Sequence, residues 1–378
     1  MKTIALHAAF FAAGTVLVYV YAGYPLLAFS VAAWKRKRPP RRLATAAPPS
    51  VSIVLSTRDS AASLRARIDD CLAQEYAGAV EILVGCDGSL ESYRAASASG
   101  DARVRAFFFS RIGKASVQNL LVREARSEII VTTDVQTRFA PAFLSEITRP
   151  FSDPAVGGVT GVMRIGNRCA SGTAHAEANY WSYEQWLRQQ ESDAGTLLAV
   201  VGACFAFRRA AYREIGAASD TDNLVPMQLA EQGYRTIQRP EAAVFEEAIE
   251  TPRSELRNRT RNVTRCFADY FRHPRLLNPA RFPGYCLGIV SHKLLRWLTP
   301  YFALCLLAGA VALRAELLPR AALWGGGVAL ACGLAGVAAG RYRPLPAAWA
   351  ALASVLTVNL AFLLGTFQAA RGKRIVTW

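Results

Sequence analysis

Four aspartates stand where an α/β protein commonly places its ligand-binding side chains. Asp87 and Asp134 directly follow short β-rich segments, and Asp220 and Asp222 lie in a loop before a helical segment. In open α/β sheets, ligands bind at the carboxyl ends of the strands, where carboxylates can hold a divalent cation or accept a substrate proton. Each aspartate also has a local interpretation, because an Asp-Gly pair often forms a turn and an Asp at a helix start often caps it.

A turn between the third predicted strand and the next predicted helix adds a positive charge. Gly113 and Lys114 lie in this turn. A lysine and the free backbone amides at a helix N-terminus together favour an anionic ligand. The combination of carboxylates and this turn indicates a substrate that carries phosphate.

Alternating strands and helices must position these side chains. Strands are predicted at Val51–Ser56, Val80–Gly85, Val104–Phe109 and Glu128–Thr133, and helices at Ser60–Gln74 and Ala115–Arg126. Such alternation predicts βαβ units, and therefore an α/β fold with a mainly parallel sheet. Residues 51–271 are long enough to form one sizeable domain of this kind.

An apolar segment at residues 1–34 predicts an N-terminal transmembrane helix, because about 20 apolar residues cross a bilayer. The basic cluster Lys35–Arg42 follows it, inside a basic and proline-containing linker at residues 35–50. Basic residues beside a first span stay in the cytoplasm. We therefore expect the central domain to be cytoplasmic.

The C-terminal part returns to the membrane. Residues 272–296 have the pattern of an amphipathic helix at the membrane interface, with His292, Lys293 and Arg296 opposite its apolar side. About three membrane segments are predicted within residues 297–370, followed by a tail at 371–378. The basic tail favours the inside, whereas four spans would place it outside, so the number of spans stays open.

Composition excludes some classes of function. The net charge is +16, but much of it lies beside membrane segments or in one late arginine stripe, and no nucleic-acid-binding motif is present. We therefore expect membrane lipids, and no nucleic acid, as partners. The chain has eight cysteines and no C-x-x-C pair, which argues against a zinc site or a disulfide framework.

The motifs together resemble a membrane-bound family 2 glycosyltransferase with a GT-A fold, related to cellulose and hyaluronan synthases. The first strand leads to Asp59, as the family's catalytic domain opens on a polar-acidic loop. Asp87, in Asp-Gly-Ser, resembles the loop that holds the nucleotide base, and Gly113 and Lys114 resemble the family's turn near the nucleotide. The resemblance implies a nucleotide-sugar donor, here a UDP-sugar.

The family's metal-binding D-x-D motif is matched in part. Asp134 supplies the first carboxylate, but Gln136 stands where the second acid is expected. An amide oxygen can still bind a hard cation, with less charge. The resemblance therefore implies Mg²⁺ or Mn²⁺ as cofactor, held by Asp134 and Gln136 and bound weakly without the donor.

The acceptor side is also matched. Gly202 and Ala203 resemble the family's acceptor-side strand, and Asp222 falls where the family keeps its catalytic base. Thr221 replaces the acid that usually precedes this base, and Asp220 is the alternative base if the alignment shifts by two residues. Asp222 could instead be the N-cap of the helix that follows.

Processive synthases carry Q-x-x-R-W on a helix at the membrane surface. The nearest match is at Asn262–Cys266, which keeps the arginine as Arg265. Arg253, Arg257, Arg261 and Arg265 recur every four residues, so a helix would place them on one face, to contact headgroups or the diphosphate. Because the family's tryptophan stacks on an acceptor sugar, Cys266 weakens the expectation of processive polymer synthesis.

The resemblance implies an inverting transferase of the bacterial inner membrane. Its acceptor would be a lipid-linked sugar or a polysaccharide, with export or assembly partners possible. One alternative is a catalytically impaired nucleotide-binding subunit, favoured by the altered motifs. Another is a membrane nucleotidyltransferase, which the missing second acid beside Asp134 disfavours.

Overall fold

An eight-stranded sheet lies at the centre of the chain in the computed structural model, which describes residues 1–37, 47–166, 172–219, 221–247, 252–339, 347–373 and 375. The strands are β1 Val51–Thr57, β2 Val80–Asp87, β3 Val104–Phe109, β4 Ile129–Thr133, β5 Arg138–Phe139, β6 Val156–Ile165, β7 Phe205–Arg208 and β8 Arg235–Glu246. Their order in the sheet is β3-β2-β1-β4-β7-β6-β8-β5.

The four strands predicted from the sequence form the parallel half of this sheet. β1 pairs in parallel with β2 and β4, and β2 pairs in parallel with β3. All residues of β1 and β4 are buried, because helices cover both faces of the sheet. The carboxyl ends of these strands meet at one edge, which brings the loops after β1, β2 and β4 together.

The other half of the sheet mixes directions. β4 pairs with β7, β7 with β6 and β8 with β5 in antiparallel fashion, whereas β6 and β8 are parallel. The predicted α/β fold is confirmed. Its second half departs from a parallel arrangement. The strand that the family resemblance implies at Gly202 and Ala203 begins later, at Phe205, and these two residues lie in a 3₁₀ turn directly before it.

Fourteen α-helices are described. They are α1 Lys2–Val18, α2 Tyr24–Arg36, α3 Ala61–Leu72, α4 Leu90–Ser97, α5 Lys114–Glu124, α6 Phe143–Thr148, α7 Gly172–Asp193, α8 Thr221–Glu231, α9 Pro252–Arg272, α10 Pro283–Gly288, α11 Leu295–Trp297, α12 Thr299–Ala312, α13 Leu317–Ala339 and α14 Ala347–Ala370. π-Helical turns at Tyr19–Gly23 and Ile289–Leu294 make α1–α2 and α10–α11 continuous.

Among the residues that the structure describes, three helices are long and apolar enough to cross a membrane. They are Thr3–Arg36, Leu317–Ala339 and Ala351–Ala370. The pair Pro283–Trp297 and Thr299–Ala312, bent by 57°, would add a fourth if it forms one span. Most of the predicted basic linker, from residue 38 to 46, and Arg374 of the tail lie outside the described residues.

The predicted interfacial helix differs from expectation on its polar side. His292 and Arg296 are 3% and 8% exposed, so they do not form an open polar face. They pack against α7, where Glu184 and Glu191 accept their hydrogen bonds. Carboxylates supplied by another helix make this burial possible, and a pattern within one helix cannot reveal them.

The apolar helices at the two ends of the chain also pack against the central domain. α14 packs against α9 so closely that the Thr264 hydroxyl donates to the carbonyl of Gly365. α2 packs against α7, where the Tyr24 hydroxyl donates to Glu191 over 2.7 Å. α7 and α9 are therefore each held by an apolar helix.

Candidate active site

A cavity of about 420 Å³ opens at the carboxyl edge of the sheet, beneath α8 and α9. This volume lies within the usual range of small-molecule sites, roughly 300–1,000 Å³. Six of the residues predicted from the sequence line it: Lys114, Asp134, Gly202, Ala203, Asp222 and Arg265. Residues from segments far apart in the chain thus meet around one space.

Asp134 and Lys114 form an ion pair on one wall. Asp134 follows β4, Lys114 begins α5, and the Lys114 Nζ lies 2.6 Å from Asp134 Oδ1. Both side chains remain partly exposed, at 29% for Lys114 and 39% for Asp134. This wall therefore presents one carboxylate and one ammonium group to a ligand.

Arg67 supports the end of β4 from below. Its side chain is fully buried, and Nη2 donates to the Thr133 hydroxyl over 2.6 Å. The guanidinium also lies 3.9 Å from the ring centroid of Phe139 and pairs with Asp70. These contacts fix the backbone directly before Asp134.

The predicted metal ligands are only partly brought together. Gln136 is exposed, and it is not one of the described residues that line the cavity. No group of three or more His, Cys, Asp or Glu side chains suited to a metal occurs within the described ranges. Mg²⁺ often binds through one or two carboxylates plus substrate phosphates, and the Lys114 ammonium shows that the Asp134 carboxylate accepts a cation here. Asp134 thus suits a cation shared with a phosphate-bearing ligand.

Asp222 lies in the first turn of α8 and lines the cavity. Its carboxylate reaches the backbone of Gly202, where a β-carbon would be 2.0 Å from Oδ1. Only glycine leaves room for this approach, because real β-carbons essentially never come within 3.0 Å of another heavy atom. Since α8 begins at Thr221, Asp222 is inside the helix and is not its N-cap.

The residues on either side of Asp222 anchor the start of α8. The Thr221 hydroxyl donates to Gln118 Oε1 over 2.5 Å, and the Tyr270 hydroxyl donates to Asn223 Oδ1 over 2.5 Å. Thr221, which stands where relatives usually have an acid, is therefore buried and used for positioning. Asp220 lies outside the described residues.

Three predicted donor residues lie in a neighbouring loop cluster and are not among the described residues that line the cavity: Asp59, Asp87 and Gly113. Asp87 is 2% exposed, and its two carboxylate oxygens accept from the amides of Ile112, over 2.7 Å, and Gly113, over 3.0 Å. Its carboxylate therefore shapes the turn that leads to Lys114.

Asp59 is held in the same cluster. Its amide donates to the Thr57 hydroxyl over 2.8 Å, and its carbonyl accepts from the Ser92 hydroxyl over 2.7 Å. The loop after β1 is thereby joined to α4, the helix that follows β2, at the carboxyl edge of the sheet. The base of a nucleotide bound at this edge of the sheet would lie beside the turn that contains Gly113.

The arginine stripe on α9 divides in two. Arg261 and Arg265 line the cavity, together with Asn262 and Cys266, whereas Arg253 and Arg257 are exposed. Arg265 Nε also donates to the carbonyl of Ile375 over 3.0 Å, so the C-terminal tail returns to this helix. The part of the stripe nearest the membrane helices thus faces the site.

Sequence reasoning missed a second charged wall. It includes Trp181 and Arg188 of α7, Lys293 of the π-helical turn and Trp297 of α11. The signal that could have revealed it is the pair of acids Glu184 and Glu191, seven residues apart in a helix that faces another helix rich in cations.

Charged side chains at this wall shift the pKa values of two buried carboxyl groups. Burial alone would raise the pKa of the Glu184 carboxyl, but Lys293, His292, Arg296 and Arg188 together bring it well below its usual value. Burial also opposes ionisation of the Glu191 carboxyl, but His292, Tyr24 and Lys293 together lower its pKa below the usual value. Both carboxyls are therefore ionised at neutral pH.

Known proteins are similar to this chain in sequence. A family model described as "Glycosyltransferase like family 2" matches residues 48–265. An N-acetylglucosaminyltransferase of Rhizobium sp. (strain N33) is 24% identical over 253 residues, which cover 61% of this chain and 55% of the relative. One from Sinorhizobium fredii (strain NBRC 101917 / NGR234) is 25% identical over 254 residues, covering 61% of this chain and 60% of the relative. The chain thus spans little more than half the length of the curated relatives it matches.

A solved structure matches over almost the whole chain. It is the mannosyltransferase PcManGT from Pyrobaculum calidifontis in complex with GDP-Man and Mn²⁺, with a TM-score of 0.70 and 23% identity. The match covers 98% of this chain and 99% of that one, and it confirms the predicted GT-A fold with flanking apolar helices. The family model covers more than half of the 378 residues, and this chain belongs to glycosyltransferase family 2.

Proposed function

We propose that the chain transfers a sugar from a UDP-sugar to a hydroxyl of a membrane-associated acceptor, with inversion at the anomeric carbon. The observation that carries this proposal is the placement of the Asp134–Lys114 pair and the Asp222 carboxylate around one cavity. The pair offers a site for a diphosphate, and Asp222 offers a base for the acceptor.

The donor end would use groups already in place. Lys114 and Arg265 offer positive charge to the donor's phosphates, and charge-assisted hydrogen bonds of this kind are about twice as strong as neutral ones. Asp134 would hold Mg²⁺ or Mn²⁺ together with those phosphates, and the bound cation would offset negative charge on the departing UDP. The mannosyltransferase with bound Mn²⁺ and GDP-Man has the same fold, which supports this arrangement.

Asp222 would act on the acceptor. Its carboxylate accepts the proton of the acceptor hydroxyl as that oxygen attacks the anomeric carbon from the face opposite UDP. The new bond from carbon to acceptor oxygen forms, the bond to the diphosphate breaks, and the configuration inverts. Gly202 keeps the space beside the carboxylate open, and Ala203 continues the same wall.

The cellular setting follows from charge and hydropathy. The helix Thr3–Arg36 is apolar and ends in basic residues, which favours a cytoplasmic catalytic domain on the inner membrane of a bacterium. Nucleotide sugars are made in that compartment. The acceptor would be a lipid-linked sugar or a growing polysaccharide, and export or assembly partners would receive the product.

Nucleotide release tests the proposal. Full-length protein in lipid nanodiscs is incubated with Mn²⁺ and UDP-sugars, beginning with UDP-N-acetylglucosamine because several relatives carry that transferase name. GDP-mannose serves as a comparison, and membrane extract supplies acceptor. We expect release of UDP that Asp134→Asn and Asp222→Asn abolish, whereas Glu231→Gln, at the far end of α8, behaves as wild type.

Two outcomes would contradict this assignment. Binding of UDP without release from any donor would favour a catalytically impaired nucleotide-binding subunit, which the exposed amide at Gln136 would then explain. Release of GDP but not UDP would keep the transferase and change its donor.

A further inference from the structure

A buried arginine lies next to the turn that carries Asp134. The Arg67 side chain of α3 is fully buried, and it pairs with Asp70, which lies one helical turn later and has a side chain that is 20% exposed. Within the described part of the chain, Arg67 Nε has no acceptor, so the cost of burying this charge is not fully offset. A well-packed apolar side chain often stabilises a core as well as a buried ion pair does. The guanidinium therefore indicates a task that an apolar side chain could not perform.

The Arg67–Asp70 pair contacts the chain on both sides of Asp134. On one side, Arg67 Nη2 donates over 2.6 Å to the hydroxyl of Thr133, the residue directly before Asp134. On the other side, the guanidinium lies 3.9 Å from the ring centroid of Phe139, and Asp70 Oδ2 accepts from the Phe139 amide over 3.1 Å. The segment between these two contacts is therefore held by one ion pair from α3.

A chain of hydrogen bonds links the same guanidinium to the backbone of Asp134. The hydroxyls of Thr133 and Thr137 are 3.2 Å apart, and the Thr137 hydroxyl donates to the carbonyl of Asp134 over 2.9 Å. Arginine has donors only, so the Thr133 hydroxyl accepts from Arg67 and uses its own hydrogen to donate to Thr137. Both threonines are buried, and hydrogen bonds away from water strengthen one another. Arg67 thus sets the direction of the whole chain.

These contacts leave the carboxylate of Asp134 at the cavity wall. They use the carbonyl of Asp134 and its neighbours in the chain, whereas the carboxylate is 39% exposed beside Lys114. Loss of the hydrogen bonds that support a metal-binding side chain typically costs about 10–100-fold in metal affinity or activity. Misplacement of a reacting group by roughly 1 Å can cost about 10²-fold in rate. The contacts of Arg67 are of the kind whose loss has such effects.

We propose that Arg67 is a positioning residue for the transfer reaction. Through Thr133 and Thr137 it holds residues 134–138, so that the Asp134 carboxylate is in place before the diphosphate of the donor and its cation bind. Arg67 is not one of the described residues that line the cavity, and no bond to it forms or breaks during transfer. This inference deepens the proposed function and rests on it, because it explains how the carboxylate assigned to the donor end is held.

Thr133→Val tests the link most directly, because it removes the hydroxyl and keeps the shape of the side chain. Full-length protein in lipid nanodiscs, without metal or nucleotide, is studied by hydrogen exchange of the peptide that covers residues 133–139. We expect the amides of this segment to exchange roughly tenfold faster in Thr133→Val and in Arg67→Met than in wild type, the effect of losing one hydrogen bond to a charged group. Thr133→Ser keeps the hydroxyl and should exchange as wild type does. Unchanged exchange in Thr133→Val refutes the proposal, and this variant decides alone if Arg67→Met does not fold.

Cation binding separates positioning from a general loss of stability. Mn²⁺ affinity is measured by electron paramagnetic resonance in the presence of UDP. Thr133→Val and Arg67→Met should weaken it about tenfold or more, whereas Thr133→Ser should stay within about threefold of wild type. Ile82→Ala is the control, because Ile82 is fully buried near the amino end of β2, so its loss lowers Tm at the end of the strand away from the cavity. An equal loss of Mn²⁺ affinity in Ile82→Ala, or no loss in Thr133→Val, overturns the proposal.

Turnover separates this proposal from the proposed function. In a transferase positioned by Arg67, Thr133→Val should lower kcat/KM for the donor about tenfold or more, and Thr133→Ser should restore it. Wild-type protein that releases UDP, together with a Thr133→Val variant that is equally active, refutes the positioning role alone. Wild-type protein that binds Mn²⁺ with UDP but releases UDP from no donor refutes the transferase assignment alone, and the Mn²⁺ affinities of the variants then decide the role of Arg67.

Discussion

The carboxylate of Asp222 lies against the backbone of Gly202, so closely that a β-carbon at residue 202 would be 2.0 Å from Oδ1. Asp222 lies in the first turn of α8, and Gly202 begins the short 3₁₀ turn Gly202–Cys204 that leads into β7. The contact joins the wall of the cavity at Gly202 to the carboxylate that we propose as the base. It also makes the position of this carboxylate depend on the absence of a side chain twenty residues earlier.

Replacing Asp222 with Asn tests whether its carboxylate is the base. The amide keeps nearly the same shape but cannot accept a proton, and a positioned base typically contributes about 10²–10⁴-fold to the rate. We expect Asp222→Asn to lower kcat by a factor in that range, while UDP binding and Tm stay near wild type. If kcat is unchanged and Asp220→Asn instead removes turnover, Asp220 is the base.

Gly202→Ala should displace the same carboxylate without changing its chemistry. Because the added methyl group overlaps Asp222, we expect kcat to fall at least about tenfold and the free energy of unfolding to fall by about 1–3 kcal/mol, as for other overpacked sites. Gly325→Ala is the matched control, because a β-carbon there meets nothing within 4 Å. Wild-type activity in Gly202→Ala would show that the position of Asp222 is unimportant.

In the proposed site, Lys114 would compete with a metal ion for Asp134. With the ammonium removed, Asp134 is free to bind a cation, so Lys114→Met should bind Mn²⁺ more tightly in the absence of donor. The same change should slow transfer about tenfold or more, because a charged hydrogen bond to the diphosphate is lost. Mn²⁺ binding is followed by electron paramagnetic resonance. Unaltered Mn²⁺ affinity together with full activity in excess chelator would place the metal elsewhere or exclude it.

Arg265 and Arg257 give a matched pair on α9. Arg265 lines the cavity and Arg257 is exposed, although the two are only two helical turns apart. Arg265→Ala should reduce kcat/KM for the donor about tenfold or more, and Arg257→Ala should leave it within about twofold of wild type. Equal effects of the two substitutions would assign the whole stripe to lipid headgroups.

Glu184 should make stability dependent on pH at the acid end. Its pKa in the folded chain is well below 4.5, its ordinary value, so its contribution is complete above that pH and is lost as pH falls through the folded pKa. Glu184→Gln should remove this acid-side dependence. It should also cost about 3–5 kcal/mol at pH 7, because Arg188, Lys293 and Arg296 lose their counterion. Thermal unfolding from pH 3 to 8 measures both effects. The same stability as wild type at pH 7 would contradict the structural role assigned to this carboxylate.

The parallel half of the fold could be predicted because its signals are local. β1 and β4 are short segments rich in β-branched residues between polar turns, and α3 begins after Ser60, whose hydroxyl accepts an amide hydrogen bond from Ser63. For the same reason Asp134, Lys114 and Asp222 were located at strand ends and helix starts. Their assembly around one cavity is what the structure adds.

The second wall of the cavity could not be predicted because it depends on distant partners. His292 reads as a polar residue on the surface of an interfacial helix until Glu191, 101 residues earlier, is placed beside it. From the sequence, Arg188 is an ordinary i,i+4 partner of Glu184. In the structure, Lys293 from a distant segment also contacts Glu184. Asp87 illustrates the reverse case, since its motif was recognised but its carboxylate is occupied by the amides of Ile112 and Gly113.

The buried cluster around Glu191 also sets an order of assembly during synthesis. Tyr24 is made 167 residues before Glu191, and His292 is made 101 residues after it. Because chains fold progressively as they leave the ribosome, both carboxylates of α7 lack most of their counterions until the stretch Ile289–Leu294 has emerged. A fragment that stops at residue 271 would leave Glu184 with Arg188 alone and Glu191 with Tyr24 alone, and it would have no Lys293 or Trp297 in its cavity. The lining of the cavity is therefore complete only after the first part of the C-terminal apolar region has been made.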